Sequence, residues 1–166
     1  MDKYQKLKED GIAHGMCQKM QDEWKEGLSG EGLFRMYFRG MDFCIEHDWP
    51  SLETIHEFFS AEELAEHGIY IANGTSEGQS NVAVLGDAEV HIYVKPFDVC
   101  DIYVRHNSKV YIHLSTGSYC YISILDNSEV HVVEKEGGAR ICASYYSGYV
   151  AEPNMFDKIH DKNEEE

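Results

Sequence analysis

Proline is scarce in this chain, three residues in 166, and tryptophan scarcer still at two. No uninterrupted apolar run approaches the roughly twenty residues that span a bilayer, so no membrane association is expected. The opening residues 1–8 lack the apolar stretch of an export signal, which points to the cytoplasm. Basic residues are few as well: 14 Lys and Arg stand against 30 Asp and Glu, a formal charge of −16. That imbalance excludes nucleic acid as a ligand, because a phosphate backbone needs a basic face. It leaves open an acidic inhibitor that mimics nucleic acid in another protein's basic groove, although acidity on this scale more often serves solubility. The five cysteines (Cys17, Cys44, Cys100, Cys120, Cys142) include no close pair. They read as reduced, buried thiols rather than a disulfide framework. Nucleophilic triads, glycine-rich phosphate loops and zinc-protease spacings are also missing.

What the chain does have is a beat. From Glu77 to Tyr146 apolar residues recur at the fourth, sixth and eighth place of each ten-residue unit. Of 21 such places, 17 hold Val, Ile, Leu or Cys, and the exceptions (Ser80, Glu134, Arg140, Ser144) lie toward the ends of the run. Alternation with period two is the mark of strands with one face buried.

Whether the true repeat is ten residues or twenty decides the architecture. A period of ten gives an antiparallel meander, and a period of twenty gives a coil that stacks on itself. With twenty, Asp87, Asn107 and Asn127 share one column, and Glu89, Lys109 and Glu129 share another that alternates in sign. Coils in register lie about 4.8 Å apart, so the charged column attracts at both contacts, and the Asn amides can bond along the stack. The Asn-Ser and Asp-Ala turns lack the glycine that tight hairpins prefer. The expected fold is therefore mainly β with a helical N-terminal region: a short single-stranded β-solenoid of about three and a half twenty-residue coils. The alternative is an α+β fold with an antiparallel meander sheet. Short stacks need caps. The polar Glu134, Arg140 and Ser144 suggest a core tapering at its C-terminal end, with Met155, Phe156 and Ile159 folding over it.

The first 68 residues read as helices. Tyr4, Leu7, Ile12, Met16, Met20 and Trp24 fall on one face of a first helix that Gly11 and Gly15 would weaken. Leu33 to His47 is apolar on most sides and is expected to form the central, most buried helix. Pro50 with Ser51 ends it and starts another. Ser60-Ala61-Glu62-Glu63 has the capping-box form, with Gly68 as a stop. Ile69 to Ala72 reads as a short strand and Asn73 to Asn81 as the linker. The expected divisions are residues 1–68 (helical), 69–150 (solenoid) and 151–166 (cap and acidic tail).

Two stretches carry a likeness: Asp42-Phe43-Cys44-Ile45-Glu46 followed by Trp49-Pro50-Ser51, and the run from Ile102 through Tyr103, Arg105, His106 and Asn107 to Val110. On these the chain resembles uncharacterised bacterial proteins of prophages and mobile elements, which combine a short helical N-terminal part with strand repeats. The resemblance implies an accessory role and brings with it no activity and no functional residue.

The outward places of alternate units hold His91, Tyr93, Tyr111, His113 and His131, which the twenty-residue period puts on one face. Flat rings with polar tips stack sugars or anchor partner proteins, although aromatic cross-strand neighbours also stabilise any exposed sheet. The opposite face, with Asp101, Tyr103, Arg105, Tyr121 and Ser123, is a weaker set. A zinc site can be built from His14 and Cys17 on the first helix with Cys44 and His47 on the second. Buried thiols explain those cysteines equally well, and no metal or other cofactor is expected. Acidic residues are scattered rather than paired in a cleft, which argues against an enzyme. The favoured reading is a self-associating, non-enzymatic interaction module that presents the aromatic and histidine face to a macromolecule. A small carbohydrate-binding protein or glycan-acting enzyme using the same face is the runner-up.

Overall fold

The computed structural model describes residues 2–164, so the last two glutamates of the expected acidic tail lie outside the described residues. The chain forms two compact units, Met1–Ser60 and Ala61–Glu166.

The first unit contains α1 (Lys3–Ala13), α2 (Gln18–Glu23), α3 (Gly30–Arg39), α4 (Met41–His47) and α5 (Leu52–Phe58). Side-chain caps begin three of them: Asp2 accepts from Gln5 N–H at 2.9 Å, Ser29 from Gly32 N–H at 3.0 Å and Ser51 from Thr54 N–H at 3.2 Å. Each satisfies an amide that the first helical turn leaves free. The two long helices expected here are each broken. The face from Tyr4 to Trp24 is split because Gly15 turns the chain at φ +98°, a conformation that glycine adopts at no steric cost. Leu7, Met16 and Trp24 are nevertheless buried. Gly11 also packs α1, since a Cβ there would stand 2.9 Å from Trp49 Cζ2. The Leu33 to His47 helix breaks at Gly40, where a Cβ would lie 2.6 Å from Met20 Cε. Leu33, Phe34, Met36 and Cys44 are buried, whereas Phe43 and Ile45 are only half-buried. This segment is therefore amphipathic rather than apolar on most sides, and its first half, α3, buries more residues than any other helix of the unit. The indole N–H of Trp49 donates to Asp10 Oδ2 at 2.8 Å, which satisfies the polar edge of a buried ring.

The second unit opens with α6 (Ala61–Glu66), which Gly68 terminates at φ +84°. Eleven strands follow: β1 (Ile69–Tyr70), β2 (Gly74–Glu77), β3 (Asn81–Val84), β4 (Glu89–Val94), β5 (Val99–Val104), β6 (Lys109–Leu114), β7 (Tyr119–Ile124), β8 (Glu129–Lys135), β9 (Arg140–Tyr145), β10 (Tyr149–Val150) and β11 (Lys158–Asp161). Odd strands form one sheet in the order β1-β3-β5-β7-β9-β11, and even strands form the other, β10-β8-β6-β4-β2. Every pair is parallel, and Val90, Val110 and Val130 are successive partners. This is the twenty-residue β-solenoid, not the meander. It is longer than expected because the segment read as a linker, Asn73 to Asn81, contains β2, paired in register with β4.

Each coil turns at two corners, and the corner residue is left-handed in both. Gly86, His106 and Asp126 form one such column, and Phe97, Gly117 and Gly138 the other. Buried serine hydroxyls close the first: Ser108 donates to Arg105 C=O and Ser128 to Leu125 C=O, each at 2.6 Å. The column of Asp87, Asn107 and Asn127 is tied by backbone bonds, Asn107 N–H to Gly86 C=O at 2.8 Å and Asn127 N–H to His106 C=O at 3.0 Å, in place of the expected amide ladder. The alternating charges do form: Lys109 Nζ lies 3.7 Å from Glu89 and 3.6 Å from Glu129. Being exposed, these pairs contribute at most about 1 kcal/mol each.

The core does not taper at Arg140 and Ser144. One extra residue, Val133, is inserted between Val132 and Glu134, where the register on β6 shifts, and its side chain is 53% exposed. Beyond this bulge the period is 21, so Cys120 pairs with Ile141 and Ile122 with Ala143. Ile141 and Ala143 are fully buried, whereas Arg140 is exposed and Cys142 half-buried. A one-residue slip moves every side chain of a strand to its other face, and the bulge supplies that slip where the sequence needs it. At the end of the stack Met155 and Phe156 pack on the core, while Ile159, expected beside them, is 37% exposed on β11. Asp157 Oδ2 accepts from Ile141 N–H at 2.8 Å and from Lys135 Nζ at 3.0 Å. The amide bond and the ammonium outweigh the partial burial of the group and hold its carboxyl below the ordinary range.

Deleting Val133 should therefore be tolerated, because it restores the twenty-residue period and leaves Ile141 in the inward column. Its urea midpoint should correspond to a loss of no more than about 1 kcal/mol. Deleting Ser123 from the middle of β7 throws Ile124 out of register and should unfold the second unit. Equal effects of the two deletions in circular dichroism melts would contradict this register.

Candidate functional site

The even-numbered sheet carries the expected side chains outward, and the solenoid brings all five together. His91 and Tyr93 lie on β4, Tyr111 and His113 on β6, and His131 on β8, with His91 opposite Tyr111, Tyr111 opposite His131 and Tyr93 opposite His113. Their rings stack. Centroids are 4.8 Å apart for His91 and Tyr111 with planes at 16°, 4.9 Å for Tyr111 and His131 at 11°, and 4.2 Å for Tyr93 and His113 at 9°. These separations match the spacing of neighbouring strands. Near-parallel rings this close can only lie face over face, since coplanar neighbours would overlap. Tyr111 is therefore covered on both faces, by His91 and His131, and Tyr93 and His113 cover one face of each other, with hydroxyl and imidazole tips at the ring edges.

A diagonal contact joins the two columns. His91 Nδ1 and His113 Nε2 are 3.2 Å apart, so one ring donates and the other accepts. Carboxylates surround the ladder. Glu129 Oε2 lies 3.3 Å from His131 Nε2 and Glu152 Oε1 lies 3.5 Å from His131 Nδ1. Nε2 is buried and has no hydrogen-bond partner among the described residues. Glu134 lies 4.0 Å from His113 Nδ1. Burial lowers the imidazole pKa of His113, and the neighbouring His91 adds to this, against the opposing pull of Glu134.

The opposite, odd-numbered face is not the open surface its alternation suggested. Tyr103 is 3% and Arg105 7% exposed. Arg105 donates from Nε to Asp126 Oδ2 at 2.9 Å and from Nη1 to the Tyr103 hydroxyl at 2.8 Å. Asp126 also accepts from His106 N–H at 3.0 Å. Burial acts to raise the Asp126 pKa, but these hydrogen bonds outweigh it and hold the carboxyl below its usual range. The cluster stitches one corner to the next and is structural. Tyr121 and Ser123 are half-buried, the Tyr121 hydroxyl is bonded to Ser144, and burial raises the Asp101 carboxyl.

The four residues considered for zinc are split between surface and core. The rings of His14 and His47 meet edge to face at 6.3 Å. Cys17 is exposed at the start of α2, whereas Cys44 is 1% exposed with its sulfur 4.0 Å from Tyr37 C=O. Among the described residues no three His, Cys, Asp or Glu side chains are grouped as a metal ion requires. All five cysteines are free, and burial pushes the Cys100 thiol up to about 12, so it acts as a small apolar side chain. Among the described residues no helix is long and apolar enough to cross a membrane.

The sequence reading missed Phe97, which is 76% exposed at a left-handed corner where the next two coils have glycine. Column alignment at twenty residues would have exposed the substitution. Compared with known proteins, the chain matches no family model, no curated protein and no solved structure.

The burial of His113, with His91 beside it, sets a pH dependence. A folded-state imidazole pKa below the unfolded value means that the unfolded chain takes up the proton first, so stability falls as pH drops through about 6.5. The depressed carboxylates Asp126 and Asp157 act only further down, below about pH 4. Urea midpoints should therefore decline between pH 7.5 and pH 5.5, and His113→Gln should flatten that decline. A midpoint that rises on acidification, or an unchanged slope in the variant, would contradict the reading.

Proposed function

We propose that this chain is a non-enzymatic interaction module of the cytoplasm whose solenoid docks a protein partner through the edge-on ladder of His91, Tyr93, Tyr111, His113 and His131. The observation that carries this reading is the stacking itself. A sugar platform needs a broad ring face open to the ligand, and here Tyr111 has both faces covered, by His91 and His131, while Tyr93 and His113 cover one face of each other. A row of hydroxyl and imidazole tips on a flat parallel sheet is instead suited to the hydrogen-bonding surface of another protein, where aromatic residues with polar ends are enriched. The carboxylates Glu89, Glu129, Glu134 and Glu152 around the ladder favour a partner with a basic surface, and the −16 charge of the chain would speed their encounter. Self-association through the ends of the stack belongs to the same proposal, as repeat arrays gain from burying their last coil. The resemblance to prophage and mobile-element proteins is the ground for assigning the module an accessory role in such an element.

The test is a chemical cross-linking pull-down from the source cells with the parent protein and with a Tyr93→Ser, His113→Ser double variant, both checked for folding by circular dichroism. The expected result is a discrete protein partner captured by the parent and lost in the variant. Capture undiminished in the folded variant would overturn the assignment of the face. Specific binding on a glycan array would favour the carbohydrate reading in its place. A partner released by competing DNA would favour the nucleic-acid mimic.

A further inference from the structure

The helical unit holds a groove that the solenoid proposal does not use. Between α2, the α2–α3 loop and α3 lies a cavity of about 800 Å³ whose floor is Leu28 and the buried Met36. Lys19, Lys25, Arg35 and Arg39 stand around it. The unit Met1–Ser60 contains only seven Lys and Arg, so four of them border one depression in a protein that is otherwise strongly acidic.

Of the two carboxylates at the rim, Glu23 is engaged by Arg39, whereas Asp22 keeps its charge. Arg39 pairs with Glu23 at 2.6 Å, and Asp22 accepts from Gln18 Nε2 at 2.8 Å. Arg35 turns to Glu31 one helical turn back at 3.2 Å. Lys19 and Lys25 are exposed and have no partner among the described residues. Two uncommitted ammonium groups beside an apolar floor define a ligand with two properties, negative charge and a hydrophobic body.

We propose that this groove binds an acidic, amphipathic segment of a partner protein, laying apolar side chains on Leu28 and Met36 and carboxylates against Lys19 and Lys25. A protein segment is the occupant because an apolar floor and cationic side chains lie side by side between two helices, the setting in which a peptide's apolar anchors and flanking charges are read together. The net charge of the chain repels acidic molecules in general, so capture here depends on these two lysines being local exceptions. The site is independent of the ring ladder, and either can fail alone.

The experiment uses the full chain and a fluorescein-labelled dodecapeptide in which leucine recurs every third or fourth place among glutamates. Fluorescence anisotropy should show saturable binding that weakens as salt rises from 50 to 500 mM, as screening requires. The Lys19→Glu, Lys25→Glu double variant should bind about tenfold more weakly or worse, and Leu28→Ser should also weaken binding at unchanged charge. The control is Lys6→Glu with Lys158→Glu, two exposed lysines elsewhere whose reversal gives the same net charge. It should bind like the parent. Circular dichroism melts confirm that all variants are folded. Equal loss in the control would reduce the effect to overall charge and overturn the proposal. So would equal binding of the peptide with lysine in place of glutamate, or displacement by a leucine-free glutamate peptide or inorganic polyphosphate at the same concentration.

Discussion

One constraint organises the solenoid: parallel strands in register place each residue directly beside the one twenty positions earlier, at the fixed spacing of a hydrogen-bonded ladder. Like side chains then collect in columns whether they are apolar, charged or aromatic. Inward, the columns are Val90-Val110-Val130 and Ile102-Ile122, with every member essentially inaccessible to water. Burial of one such branched side chain contributes about 1.5 to 3 kcal/mol, and stacking identical shapes leaves few voids. Outward, the same spacing alternates Glu89, Lys109 and Glu129, and it is short enough to press imidazole and phenol rings into contact. The ring ladder of the candidate site is thus a consequence of the solenoid's geometry.

Where side-chain pattern and period disagree, the backbone yields. Inward places in the last coil would fall to Arg140, Cys142 and Ser144 under a strict twenty-residue count. Burying an unpaired guanidinium costs several kcal/mol. An unpaired residue at Val133 costs less and restores Ile141 and Ala143 to the core. The same economy closes the end of the stack, where Lys135, in an inward column beside Leu114, sends its ammonium to Asp157 and Met155 C=O.

The regular middle of the solenoid was legible because period, polarity and sign of charge all pointed to twenty residues, and only a stacked coil satisfied the Glu89-Lys109-Glu129 column. The ring ladder followed from the same alignment. The ends were legible only in part: Met155 and Phe156 cover the core as expected and β1 starts at Ile69, but other features were hidden. β2 is hidden in Gly-Thr-Ser-Glu, a segment with no apolar alternation, whose Ser76 hydroxyl is buried against Gln79. The bulge at Val133 looks like one more apolar residue in a strand of valines. In the helical unit, Gly15 was visible as a weak point and is a break, at φ +98°, whereas the break at Gly40 was not, because it depends on Met20 packing into the space there, a tertiary fact. The burial of Arg105 was equally invisible: Tyr103 was already placed on its face, but the carboxylate of Asp126 reaches it from the corner of the next coil.

The account stands on the stacked register, which determines what lies on the ladder face and what lies beneath it. Amide-to-amide nuclear Overhauser contacts in the isotope-labelled protein test that register directly. Contacts between Val110 and Val130 and between Ile102 and Ile122, changing to a separation of 21 from Ile122 to Ala143, are the predicted result. Contacts that reflect about each turn, such as Val104 against Val110, would mean a meander and would take the ring ladder with it.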